Sequence, residues 1–184
     1  MNILVTGCAG FIGFHLSKSL INKKHKIYGL DNLNNYYDKN LKKDRLKELF
    51  KISKNKKSFF NFSKVDMSNA KKIESFFKKK KIKIVINLAA QAGIRYSIKN
   101  PKSYLKSNLI GFCNLIEEAK KNKVKHFIYA STSSVYGNNK KKRYSENLNT
   151  DHPLQYYAAT KKSNEVIAYA YSALYNFATT GLRL

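Results

Sequence analysis

The stretch "NILVTGCAGFIGFHL", residues 2–16, decides the fold. Its first part is a continuous apolar run, the pattern of a strand buried on both faces of a parallel sheet. Its second part places glycines at 7, 10 and 13 and then becomes amphipathic, so a tight turn opens directly into a helix. Glycines at such a turn let the backbone approach a pyrophosphate closely. The helix N-terminus behind them supplies free N–H donors and the positive end of a dipole. Gly7, Gly10 and Gly13, with Phe11 and Ile12 between them, are therefore candidate cofactor-binding residues. The same spacing also forms a tight turn without a ligand, so the surrounding chain has to decide. Cys8 has no base beside it in the sequence and reads as a small filler, not a nucleophile.

The next apolar run, "KIYGLD" (26–31), ends in Asp31, roughly 20 residues beyond the glycines, where a carboxylate accepts hydrogen bonds from adenosine ribose hydroxyls and repels a 2′-phosphate. The residues after it, Asn32, Leu33, Asn34 and Asn35, bring no cation for such a phosphate, so NAD is expected and NADP is not. Further strands are expected at 60–66, 82–90, 126–132 and 179–184, and helices at 11–23, 41–53, 69–80, 102–122 and 155–177, with Pro101 where a helix would start. This alternation predicts an α/β fold, a doubly wound parallel sheet of the Rossmann type with strand order 3-2-1-4-5-6. Asp66, at the end of the third strand, suits either the adenine amino group or the N-cap region of the following helix. The small residues of "NLAAQAG" (87–93) leave space at the end of the fourth strand, where ligands of such sheets sit. The Lys/Asn stretch 138–147 reads as an exposed loop.

With 184 residues and 43% hydrophobic content, the chain suits one domain, residues 1–184. No apolar run reaches the roughly 18 residues of a membrane span, and "MNILVTG" lacks the charged start of a signal peptide. Two cysteines make no disulfide framework, so a reducing, cytoplasmic setting is expected. The net charge of +25 invites a nucleic-acid reading, but 32 of the 36 basic residues are Lys, spread over helices and turns, and only four are Arg. Phosphate and base recognition favours Arg forks, so a solvated surface is the simpler reading and no specific nucleic-acid partner is expected. His15, His25, His126 and His152 show no ligand spacing, and no metal is assigned.

In "YYAATKKSNE" (156–165), Tyr157 and Lys161 are four residues apart and share a helix face, with small residues between them. An ammonium near a phenol favours the phenolate, which would make a proton acceptor near neutral pH. An ordinary amphipathic helix has the same pattern, so this pair gains its weight from the rest of the chain.

Taken together, "VTGCAGFIGFHL", "LDNLNNYYDKNLKKDRL", "NLAAQAGIRYSIKNPKSY", "SNLIGFCNLIE", "YASTSSVYG", "DHPLQYYAATKKSNE" and "TTGLRL" resemble the extended short-chain dehydrogenase/reductases, more narrowly the NAD-dependent nucleotide-sugar epimerases, and most of all UDP-glucuronate 4-epimerases. The resemblance implies that Tyr157 is the catalytic base and that Lys161 binds the nicotinamide ribose and lowers the tyrosine pKa. It implies that Thr132 hydrogen-bonds the sugar 4-hydroxyl. It also implies that Met67 and Ala89 join the glycines, Asp31, Asn32 and Asp66 on the cofactor. Gln91, Arg95, Ser133 and Ser134 join Thr132 on a UDP-sugar. Ser133 and Ser134 stand where dehydratases of this superfamily carry Asp-Glu and related decarboxylases carry a Glu. Hydroxyls there favour transient C4 oxidation and re-reduction over elimination. Asn87 and Leu184 depart from the family, which often has His and Phe at those places. The resemblance further implies polysaccharide biosynthesis, a homodimer at full length, and a substrate-binding region after the sixth strand. Residues 1–184 are accordingly expected to be an N-terminal fragment, inactive alone. Competing expectations are a UDP-galactose 4-epimerase, a dehydratase or decarboxylase, or a fragment that only binds a dinucleotide or polyanions.

Overall fold

A computed structural model describes residues 1–78, 80–139 and 143–184. The opening apolar run becomes β1 (Asn2–Thr6), followed by α1 (Phe11–Asn22), β2 (Lys26–Asp31), α2 (Lys39–Asn55), β3 (Phe59–Lys64), α3 (Ala70–Lys78) and β4 (Ile84–Asn87). Then come the short helices α4 (Ile94–Lys99) and α5 (Pro101–Tyr104), a π-helical turn at Leu105–Ile110, α6 (Gly111–Lys121), β5 (His126–Ser131), a 3-10 turn at Ser133–Tyr136, α7 (Tyr156–Tyr175) and β6 (Thr179–Arg183). The strands form one sheet in the order β3-β2-β1-β4-β5-β6, with every neighbouring pair parallel, as the alternation of runs predicts.

Successive residues of a strand face opposite sides, and β1 shows what that does. Leu4 packs with Ile73, Phe76 and Phe77 of α3, Phe112 and Leu115 of α6, and Ala168 of α7. Ile3 and Val5 pack on the other face with Ile21 of α1 and Leu46 and Leu49 of α2. Each fully buried aliphatic or aromatic side chain of this kind contributes about 1.5–3 kcal/mol. Because α1 and α2 cover one face and α3 and α6 the other, the winding reverses between β1 and β4. A crevice opens there at the carboxyl ends of the strands.

Three local differences from the sequence reading bear on that crevice. β4 is shorter than 82–90 because the residues after Asn87 leave the sheet for side-chain partners. Ala89 N donates to Thr6 Oγ1 (3.1 Å), and Gln91 N donates to Asn108 Oδ1 (2.8 Å). The single helix expected at 102–122 is instead interrupted by the π turn. Asn108 in that turn is buried, donates to Gln91 O (3.0 Å) and Thr160 Oγ1 (3.0 Å), and offers its own carbonyl to Asn164 Nδ2 (2.7 Å). Partners from β4 and α7 thus take up polar groups that a regular helix would pair internally. α4 was not expected at all, being too short to show a period. Of the loop expected at 138–147, residues 140–142 lie outside the described residues, and the rest carries no helix or strand.

Candidate active site

The glycine turn is built by close packing. Gly7 has φ +68°, a region that disfavours side chains, and its N–H donates to Leu30 O (2.7 Å). A Cβ on Gly13 would lie 2.1 Å from Gly7 O, so the first turn of α1 can sit against the loop only without a side chain there. Gly10 caps α1 with no side-chain hydrogen bond and no acid in the first turn. The first N–H groups of this 12-residue helix, and its positive dipole end, therefore remain available to an external anion.

That helix end opens into a cavity of about 480 Å³ at the carboxyl ends of β1 to β4. The structure brings together there Gly7, Gly10, Phe11, Ile12, Gly13, Asp31, Asn32, Asp66, Met67, Ala89 and Gln91, all singled out from sequence. The buried Asp31 carboxylate accepts from Leu33 N (2.8 Å) and Ala9 N (3.3 Å), so it holds the loop as well as facing the cavity. Asp66 combines both of its sequence readings. It lines the cavity, and its Oδ1 accepts from Ser68 N (3.0 Å) and Ser68 Oγ (2.8 Å) at the entry to α3. Burial works to raise its pKa, but those bonds and the Lys106 ammonium at 3.5 Å outweigh it and leave the carboxyl below its ordinary value. Gln91 is 5% exposed, and its Nε2, which lies toward the Tyr104 hydroxyl, makes no well-formed hydrogen bond among the described residues. An unpaired buried amide donor costs free energy that a ligand acceptor would recover.

Residues 32–35 bring no cation, but Lys42 and Arg45 of α2, missed in the sequence, line the same cavity. Their spacing from Leu41 and from each other puts all three on the helix face that turns inward, a signal that was present in "LKKDR" but far along the chain from the carboxylate. Tyr36, Tyr37 and Asp38, which precede α2, were also missed and line the cavity too. The Tyr36 ring packs on Tyr96 of α4 with centroids 5.0 Å apart.

Thr132, Tyr157 and Lys161 sit beside the cavity, at the end of β5 and on the facing turns of α7, and are not among its walls. The Tyr157 hydroxyl faces Thr132, whose hydroxyl favours the ionised phenol. Its backbone is fixed by Ser97 Oγ, which accepts from Tyr157 N (3.3 Å), and by Thr160 Oγ1, which donates to Tyr157 O (2.7 Å). Thr132 caps the 3-10 turn by accepting from Ser134 N (3.2 Å). The expected phenolate is not what the structure holds. Burial raises the Tyr157 pKa, and the Thr132 hydroxyl offsets this only in part. The reason lies in Lys161, whose Nζ donates to Ala130 O (2.7 Å). Lys161 is 3% exposed, and burial brings its pKa down to about 8.

The remaining substrate candidates scatter. Arg95 is exposed on α4 and makes no side-chain hydrogen bond among the described residues. Ser134 is half-buried behind Thr132, whereas Ser133 is exposed on a second cavity of about 750 Å³ along β6. Asn87 turns away from the crevice and accepts from Thr6 Oγ1 (2.6 Å).

The chain is 50% identical over 183 residues to Protein CapI of Staphylococcus aureus, covering 100% of this chain and 53% of that protein. A solved UDP-glucuronic acid 4-epimerase from Bacillus cereus, in complex with UDP-glucuronic acid and NAD, superposes with a TM-score of 0.87 at 34% identity. The match covers 100% of this chain and 56% of that one. A UDP-glucose 4-epimerase from Thermotoga maritima, solved with UDP-glucose, gives a TM-score of 0.84 at 31% identity, covering 100% and 55%. The chain thus spans about half the length of the proteins it matches. The model of the NAD dependent epimerase/dehydratase family matches residues 3–184, and the chain belongs to that family.

Proposed function

We propose that this protein is an NAD-dependent nucleotide-sugar 4-epimerase and that it interconverts UDP-glucuronate and UDP-galacturonate. The observation that carries the reading is the juxtaposition of two sites. One is a glycine-lined cavity with a free helix end, the other the Thr132–Tyr157 pair beside it. A dinucleotide fits the residues present. The α1 N-terminus suits its pyrophosphate, Asp31 its adenosine ribose, and the Gln91 Nε2 a further acceptor. When bound, oxidised NAD supplies the hydride acceptor at sugar C4 together with a positive charge.

The chain's own residues do the rest. Thr132 orients the 4-hydroxyl toward Tyr157. Tyr157 is protonated at neutral pH in this arrangement, and a positive charge delivered to the site brings the phenol down toward the working range. Lys161 adds donors for a ribose and a charge one helical turn away. Thr132, Ser133 and Ser134 offer no carboxylic acid to protonate a departing hydroxyl, which favours epimerisation over dehydration. The Bacillus cereus relative supports the acidic sugar, and the Thermotoga maritima one supports UDP-glucose as the second reading.

The test uses a protein of the relatives' length that carries these residues, with NAD and UDP-glucuronate added. UDP-galacturonate should form, and Tyr157→Phe should lower turnover by about 10²–10⁴-fold with NAD binding kept. Turnover within about threefold of the parent would remove Tyr157 from the mechanism, and turnover of UDP-glucose alone would replace the sugar.

A further inference from the structure

Lys42 and Arg45 are the two cations of the main cavity, and neither has a carboxylate partner among the described residues. Lys42 is 7% exposed. Among the described residues its Nζ donates only to Asn34, at Oδ1 (2.9 Å) and the carbonyl (3.2 Å), which leaves one ammonium proton unassigned. Arg45 donates from Nη1 to Ala9 O (3.2 Å), and its guanidinium lies over the Phe11 ring at 5.9 Å. A guanidinium has five N–H donors, so most of its fork is unused. The acids of the same cavity are engaged elsewhere. Asp31 accepts from Ala9 N and Leu33 N, Asp38 caps α2 by accepting from Asn40 N, and Asp66 is held by Ser68 and Lys106. Arg45 and Asp31 thus grip opposite ends of one residue, Ala9, without neutralising each other. A buried ammonium beside a half-buried guanidinium, both with unused donors, calls for an anion.

We infer that Lys42 and Arg45 form a latent phosphate-monoester subsite beside Asp31, matched to the 2′-phosphate of an adenosine ribose. Exclusion of NADP then rests on the Asp31 carboxylate alone, because the cations that would hold the extra phosphate are already in place. The inference rests on the dinucleotide reading given above, in which the ribose lies against Asp31. A dianionic phosphate there meets one carboxylate and two cations, and removal of the carboxylate reverses the balance.

The experiment measures dissociation constants of NAD and NADP by calorimetry for the chain Met1–Leu184 and its variants, with no turnover required. The parent should prefer NAD. Asp31→Asn should reverse the preference, with the NAD-to-NADP affinity ratio moving by about tenfold to a hundredfold, the range of one or two charge-assisted hydrogen bonds. Arg45→Ala added to Asp31→Asn should abolish the gain. Asp31 also ties the loop, so Lys42→Met and Arg45→Ala are measured in the parent as well. Each should weaken NADP more than NAD. If Asp31→Asn and both cation variants leave the ratio within about twofold of the parent, the subsite is wrong while the dinucleotide reading stands. If the parent binds neither cofactor, the dinucleotide reading fails and takes the inference with it.

Discussion

Lys161 and Glu165 stand one turn apart on α7, both withdrawn from solvent, and the fold handles them in opposite ways. Glu165 accepts from Arg183 at both oxygens (2.9 and 2.9 Å) and from Ser131 Oγ (2.6 Å). Arg183 also lies over the Tyr136 ring at 4.9 Å. Burial alone would raise the Glu165 pKa, but Arg183 and Ser131 hold it below its ordinary value. Among the described residues Lys161 has one carbonyl and no acid, and its pKa falls to about 8. The first arrangement ties α7 to β5 and β6. The second weakens the fold and leaves a cation at the end of β5 beside Tyr157. A satisfied pair and an unneutralised charge on the same helix set a structural contact apart from a cation that the fold leaves costly.

The largest effect should come from breaking the satisfied pair. Glu165→Ala leaves a partly buried guanidinium without its carboxylate, and the expected loss is about 3 kcal/mol, the low end for such pairs because both partners keep some exposure. Urea unfolding measures it. Arg183→Ala should cost less, and the double variant less than the sum, since the two share one interaction. Additive losses would mean that the pair is not coupled.

The pH dependence sharpens the contrast. The unfolded Lys161 titrates near 10.5 and the folded one at about 8. Between these values the unfolded chain holds more protons, so stability rises with pH through that window, and the penalty is fully present below pH 8. From pH 7 to 9.5 the gain from this group should be about 2 kcal/mol. Above pH 10 the buried tyrosines work the other way. Burial pushes Tyr104 and Tyr129 up to about 12, so their native forms resist ionisation. A general relief of charge repulsion also accompanies lysine titration in a chain of +25. Lys161→Met isolates the specific part, because the variant should lose about 2 kcal/mol of the rise and keep the remainder. An unchanged pH profile would mean that Lys161 is already satisfied.

Much of this is legible in the sequence. The apolar run 2–6 and the glycines after it fixed a strand, a turn and a helix, and alternation of runs fixed the strand order, because both depend on local pattern. Tyr157 and Lys161 shared a helix face as their spacing required. Two features were hidden because they depend on how elements pack. Lys42 and Arg45 reach the Asp31 cavity only through the angle at which α2 lies over β2. The direction of the Lys161 ammonium, toward Ala130 O, follows from the seat of α7 on β5 and set the Tyr157 pKa opposite to expectation. The π turn around Asn108 belongs with these, since its partners come from Gln91, Thr160 and Asn164.

The smallest effect should follow from Tyr157→Phe. Its hydroxyl faces Thr132 in a site that Ser134 also supplies, so stability should change by about 1 kcal/mol or less, whereas the proposed mechanism makes turnover depend on it. A loss above about 3 kcal/mol would assign Tyr157 to the framework that holds Glu165.

The contrast between the two charges is tested most directly by thermal melts of the parent and Lys161→Met at pH 7, each with and without saturating NAD. Without NAD the variant should melt higher, by the equivalent of about 1–2 kcal/mol, because a costly buried charge is gone and only one hydrogen bond goes with it. With NAD the parent should gain more than the variant, since the ammonium is then used. A variant that melts lower without NAD, or that NAD stabilises as much as the parent, would show Lys161 to be a structural residue.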